Sequence, residues 1–233
     1  MGETAEVMSE ARDAILARVK GGLTRDDDDV ARRAVTERLA GHTRGLQPKR
    51  IAIDQEALVD LFAENAQAVD ATVSFVNSAA DLPDAIADYL RSRNMPAQAA
   101  IAPHPNLDGI DWSASTMDVH RRAPKADDRI GINRCFAAVA ETGTLVMASG
   151  PDSPATMNFL PETHIAVVAA SEIIGSYEDM WDRLRNAGRA SGEALPRTVN
   201  MITGTSRTGD IEQTLQTGVH GPKALHIVVV KEG

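Results

Sequence analysis

Apolar residues recur every fourth position at Val7, Ala11, Ile15 and Val19, so residues 5–20 read as an amphipathic helix that stops at the pair Gly21 and Gly22. The segment from Leu23 to Lys49 combines the acidic run Asp26 to Asp29, a short helical pattern over Val30 to Ala40, and the breakers Gly41, Gly45 and Pro48. It reads as a tether; the acidic run lacks the alternating ligands and central glycine of a calcium loop. From Ile51 the pattern alternates. Leu58, Leu61, Phe62 and Val69 form a helix stripe, Ala71 to Val76 is strand-like, and Leu82, Ile86, Tyr89 and Leu90 form a second stripe. Residues 98–102 (QAAIA) read as a buried strand, and Pro103 to Arg129 as an irregular stretch. Phe136 to Ala140 and Thr144 to Met147 flank Glu141-Thr142-Gly143, a hairpin spacing in which the glycine supplies positive φ. His164 to Ala170 reads as a strand buried on both faces. Tyr177, Met180, Trp181, Leu184 and Gly188 mark a helix, Thr198 to Thr203 a strand, Thr208 to Thr217 a helix and Leu225 to Lys231 a final strand. The alternation predicts an α/β fold, a three-layer domain with a mostly parallel sheet and an antiparallel addition at the hairpin. Residues 1–49 are expected to form an N-terminal helical arm and acidic linker, and residues 50–233 the α/β domain.

Composition narrows the function classes. With 43% hydrophobic and 24% charged residues the 233-residue chain is globular rather than disordered. Its 24 basic and 33 acidic residues give a net charge of −9, which disfavours nucleic acid as a partner. No apolar run approaches the ~20 residues of a membrane span, and the acidic start has no signal-peptide core, so a soluble, cytoplasmic protein is expected. One cysteine, Cys135, permits no internal disulfide, and an iron–sulfur cluster takes about four thiolates.

Three segments carry candidate chemistry. Met201 to Glu212 runs from an apolar strand through a loop of hydroxyl residues and glycines into the expected helix. A helix N-terminus at the carboxyl end of a strand offers free N–H groups and a positive dipole. Thr203, Gly204, Ser206, Arg207, Thr208 and Asp210 therefore form a candidate small-anion site, with Arg207 as a bidentate grip. Gly204 and Gly209 have the spacing of a phosphate-binding P-loop, but Asp210 and Ile211 replace its Lys and Ser/Thr, which excludes a nucleoside-triphosphatase. The competing reading makes Thr208 a helix cap and pairs Arg207 with a surface acid. In the second segment the turns Glu141-Thr-Gly-Thr144 and Ser149-Gly-Pro151 flank one short strand. Thr142, Gly143, Ser149 and Gly150 allow close approach to a ligand, and Glu141 suits a base or carboxylate nucleophile, although an ordinary hairpin explains the same residues. The third, Gly218-Val-His-Gly-Pro222, is a tight loop exposing His220 beside Gly221, a group that titrates near physiological pH. His226 reads as a packed histidine and Cys135 as a small core residue. His104, His120 and His164 have carboxylates nearby in sequence but no metal-ligand spacing, so no protein-held metal is expected.

Together AVAETGTLVMASGP (138–151), LPETHIAVV (160–168) and ITGTSRTGDIEQTLQTGVHGPKALHIVVV (202–230) closely resemble the LUD-domain family, specifically its lactate utilization protein C (LutC) branch. The chain departs from the family's usual loop at Thr205, where Pro is common, and at Gly209, where Ala is. The resemblance implies the NagB/RpiA/CoA-transferase-like fold of sugar-phosphate isomerases and CoA-transferases. It also implies a role in oxidation of L-lactate to pyruvate beside two iron–sulfur partner subunits, with this chain holding no cofactor of its own. A second expectation of a different class is a stand-alone isomerase or CoA-transferase-like enzyme, with Glu141 as the reacting carboxylate on a phosphorylated or thioester substrate.

Overall fold

The computed structural model describes residues 2–22, 28–192, 195–209 and 214–232. The chain divides into two compact units, Met1–Gly45 and Leu46–Gly233. The first holds α1 (Gly2–Gly22) and α2 (Asp28–Gly41), the two helices that the apolar spacing predicts. Their apolar side chains Ile15, Val19, Val30, Val35 and Leu39 are exposed.

The second unit opens with α3 (Gln55–Ala68), started by the Asp54 carboxylate, which accepts from Ala57 N–H at 2.9 Å. There follow β1 (Thr72–Val76), α4 (Leu82–Ser92), β2 (Gln98–Ile101), the single turn α5 (Pro105–Asp108), β3 (Asp118–Arg121) and β4 (Ile130–Arg134). Next come β5 (Ala137–Val139), β6 (Thr144–Ala148), β7 (Thr163–Ala169), β8 (Ile173–Ile174), α6 (Tyr177–Ser191), β9 (Val199–Ile202), β10 (Arg207–Thr208), β11 (Gln216–Thr217) and β12 (Ala224–Val230). Six strands form a parallel sheet in the order β1-β12-β7-β4-β2-β3. A second, mixed sheet runs β8-β5-β6-β9.

Side-chain alternation along β7 and β12 builds two cores. Ile165, Val167, Val228 and Val230 pack on Leu82, Ile86 and Leu90 of α4. Ala166, Val168, Ile227 and Val229 face the other way, onto Phe62 and Ala66 of α3 and onto Ala138 and Leu145 of the second sheet. The outer face of that sheet, Ala137, Val139 and Val146, is covered by Met180 and Tyr177 of α6. The α/β class and the mostly parallel sheet are as the sequence predicts, and the expected hairpin forms the two central strands of a separate layer.

Two local expectations fail. The stretch Pro103 to Arg129 contains β3, and β4 follows it without having been anticipated. The described ends of the helix expected over Thr208 to Thr217 are instead short antiparallel strands, with Arg207 opposite Thr217 and Thr208 opposite Gln216. Residues 210–213 lie outside the described ones. The segment carries Thr208, Gly209, Thr214 and Thr217, all poor helix formers, so pairing competes well with helix formation.

Gly143 ends the β5–β6 hairpin at φ +66, and a Cβ there would stand 2.3 Å from Ala66 N on α3. Gly192 has a similar φ of +69 with nothing within 4 Å of such a Cβ. Gly143→Ala should therefore cost about 3 kcal/mol, from backbone strain plus displacement of α3, and Gly192→Ala only about 1 kcal/mol, from strain alone. Urea denaturation of both variants checks the difference, and equal losses would remove the packing explanation.

Candidate functional site

Parallel strands bring their carboxyl ends to one edge of the sheet, the usual ligand edge in open α/β folds. At that edge lies a cleft of about 530 Å³ lined by His104, Arg134, Ser149, Gly150 and Asp152 among others. Arg134 ends β4, His104 follows β2, and Ser149 follows β6. Arg134 also lines a neighbouring cleft of about 260 Å³ with Asn106, Leu107, Ala169 and Glu232. The Arg134 guanidinium donates to both oxygens of Glu172, at 2.6 and 2.9 Å, and Arg183 approaches the same carboxylate at 3.4 Å. His104 Nδ1 accepts from Asn106 N–H at 3.2 Å. Burial, reinforced by Arg134 and opposed by Asp152, holds the His104 pKa below its ordinary value, so the ring is neutral at physiological pH.

The amino ends of β7 and β12 border a second cleft, of about 230 Å³. Here the structure brings together Thr203, Gly204, Ser206, His220 and Gly221. Ser206 N–H donates to Pro222 C=O at 3.0 Å and Gly218 N–H to Ser206 C=O at 2.9 Å, which lays the two loops side by side. Gly204, at φ +74, is a packing position: a Cβ there would meet Val69 C=O at 2.1 Å. His164 and Asn158 line the same cleft. His164 Nε2 bonds Asn133 Oδ1 at 2.7 Å, and Asn133 Nδ2 donates to Asn158 Oδ1 at 2.9 Å.

The remaining expected residues sit elsewhere. Arg207 is bound to Asp70, Thr208 belongs to β10, and Asp210 lies outside the described residues. With β10 in place of the helix, the expected helix N-terminus and its dipole are not available at Arg207 and Thr208. At the hairpin turn Glu141 pairs with Arg50 at 3.2 Å and its N–H donates to Gly175 C=O. Thr142, Thr144 and Tyr177 share a hydroxyl cluster, and Thr144 Oγ1 lies 2.7 Å from Thr203 Oγ1. Sequence reasoning set aside His104 and missed Arg134, Glu172 and the Asn133–His164 pair. The available signal was a strand, Ile-Gly-Ile-Asn-Arg, whose apolar run ends in two strongly hydrogen-bonding residues. Among the described residues no group of three or more His, Cys, Asp or Glu is placed to hold a metal ion, and no helix is long and apolar enough to cross a membrane.

The profile of the LUD domain matches residues 59–230, well over half of the chain. The chain belongs to the LUD domain family. The crystal structure of a DUF162 family protein from Deinococcus radiodurans superposes with a TM-score of 0.54 at 25% identity, covering 76% of this chain and 99% of that one. Lactate utilization protein C of Geobacillus sp. (strain WCH70) is 36% identical over 132 residues, 54% of this chain and 52% of that protein. Its counterpart in Bacillus subtilis (strain 168) is 36% identical over 121 residues, 51% of this chain and 49% of that protein. The chain spans about half the length of these curated relatives.

Two buried histidines give this LUD domain a pH signature. Burial pushes His164 and His226 down to about 4. His226 stacks on Tyr89 at 3.7 Å and is held by Thr72 and Ser74. Both rings fold as neutral imidazoles, whereas in the unfolded chain they titrate near 6.5. Between those values the unfolded state binds protons that the folded state refuses. Stability is therefore expected to be level above pH 7 and to fall toward pH 4, by on the order of 3 kcal/mol per histidine. Urea midpoints across that range measure it, and His226→Gln should fall less steeply than the wild type.

Proposed function

We propose that this chain takes part in lactate utilization as the component without an iron–sulfur cluster, beside two iron–sulfur subunits that carry electrons from L-lactate oxidation. The observation that carries this reading is the similarity, at about 36% identity, to relatives named lactate utilization protein C. Cys135 supports the division of labour. It is the one thiol in the chain, it is buried, and burial pushes its pKa up, so it offers no thiolate for a cluster.

The carboxyl-end cleft is the proposed place for a small carboxylate. Arg134 and Arg183 share the carboxylate of Glu172, with Asp152 on the cleft's other side, so the attraction for a carboxylate rests on the fork of Arg134 N–H donors rather than on net charge. A ligand carboxylate would take the remaining Arg134 N–H donors, and neutral His104, whose Nδ1 is occupied by Asn106 N–H, would donate its Nε2–H to the oxygen of a 2-hydroxyl group. The stand-alone transferase reading has less support, because Glu141 is held by Arg50 and lines none of the clefts described above.

In a host without a second lactate dehydrogenase, deletion of the gene should stop growth on L-lactate and spare growth on pyruvate. The wild-type gene should restore growth, Arg134→Gln should not, and Arg134→Lys should restore it in part, since an ammonium keeps the charge without the planar fork. Normal growth of the deletion on lactate would overturn the pathway assignment. Full restoration by Arg134→Gln would leave the pathway standing and remove the site.

A further inference from the structure

The cleft at the amino ends of the strands has a chemistry opposite to that of the Arg134 edge. Phe159, Met201, Ile202, Pro222 and Leu225 give it an apolar side, the loop residues Thr203, Thr205, Ser206 and His220 a neutral polar rim, and neither lysine nor arginine lines it. His164 and Asn158 are its buried polar groups, 1% and 3% exposed. The ring's tautomer follows from the hydrogen-bond chain. Asn133 spends its Nδ2 on Asn158 Oδ1, so its own Oδ1 must accept from His164 Nε2–H. The proton is on Nε2, and Nδ1 is left as a bare acceptor. That Nδ1 is buried and has no hydrogen-bond partner among the described residues. Burial holds the ring near a pKa of 4, so it stays an acceptor at neutral pH instead of becoming a cation.

We propose that this cleft is a second small-molecule site, which takes a compact, mainly apolar molecule of about one ring that donates a neutral O–H or N–H to His164 and which rejects carboxylates and phosphates. The size follows from the cavity, about 230 Å³, the room of roughly eight waters. The selectivity follows from the floor and the walls. An anion would lose its hydration without meeting a counter-charge, and it would face a lone pair on Nδ1. A ring carrying one donor would meet both the bare Nδ1 acceptor and the apolar side of the cleft. This inference does not depend on the lactate reading or on the Arg134 cleft.

The test uses the full chain, labelled with ¹⁵N, and three probes of one size: phenol, toluene and benzoate. The free chain should show His164 unprotonated at Nδ1. Phenol should bind about tenfold more tightly than toluene, the scale of one hydrogen bond, and should move the Nδ1 resonance, while benzoate should not compete. His164→Phe should erase the preference of phenol over toluene. Should that variant fail to fold, the tautomer and the three-probe comparison on the wild type decide the matter alone. A protonated Nδ1, equal binding of phenol and toluene, tighter binding of benzoate, or no binding of any probe at millimolar concentration would each overturn the proposal.

Discussion

A parallel sheet whose central strands are apolar on both faces cannot exist without a cover on each side, and that requirement organises the molecule. β7 and β12 are buried along nearly their whole length. One face is met by α4, in the ordinary way for such sheets. The other is too broad for α3 alone, so the β8-β5-β6-β9 sheet shares it, and its own outer face then needs α6. Two glycines read from the sequence as ligand-binding positions serve this stacking. Gly143 and Gly204 both have positive φ, and both back onto the end of α3 without room for a Cβ.

A polar chain from His164 through Asn133 to Asn158 interrupts the second core. Gly131, His164 and Leu225 stand in register, with Asn133 beside Ala166 one pleat further on. A Cβ on Gly131 would lie 2.6 Å from Pro161 Cγ and 2.8 Å from Met157 Sδ. The turn Ala155–Asn158 can therefore press Met157 over Ala100 and Ala102 and hand the Asn158 amide to Asn133. Small residues here make space for amides and an imidazole. Replacing that space by bulk would orphan buried polar atoms.

How legible this was in the sequence depended on period and burial. α3, α4, α6, β1, β7 and β12 carry long stripes or unbroken apolar runs, and these follow the pattern of the residues directly. β4 did not, because Gly131 and Asn133 break its run for reasons of tertiary fit invisible along the chain. The strand pair β10–β11 has the residue spacing of a helix but the composition of a turn-rich ribbon, and composition prevails where little is buried. Site residues were harder still. The glycine and hydroxyl loops are conspicuous as text, yet the residues that face open clefts include Arg134 and His164, whose significance lies in partners 31 or more positions away.

β4 shows how one short element can serve both edges. Its residues Asn133 and Arg134 are neighbours in sequence, and successive side chains on a strand point to opposite faces. Asn133 consequently completes the neutral chain to His164, while Arg134 lies in the charged edge with Glu172. In register His164 and Arg134 are three residues apart, roughly 10 Å along the sheet. Between them lie paired strands packed on both faces. Coupling between distant sites needs an element with two states that both ligands bias. A central strand paired on both sides and buried on both faces is a poor candidate for such an element, so occupation of either cleft should leave the affinity of the other unchanged.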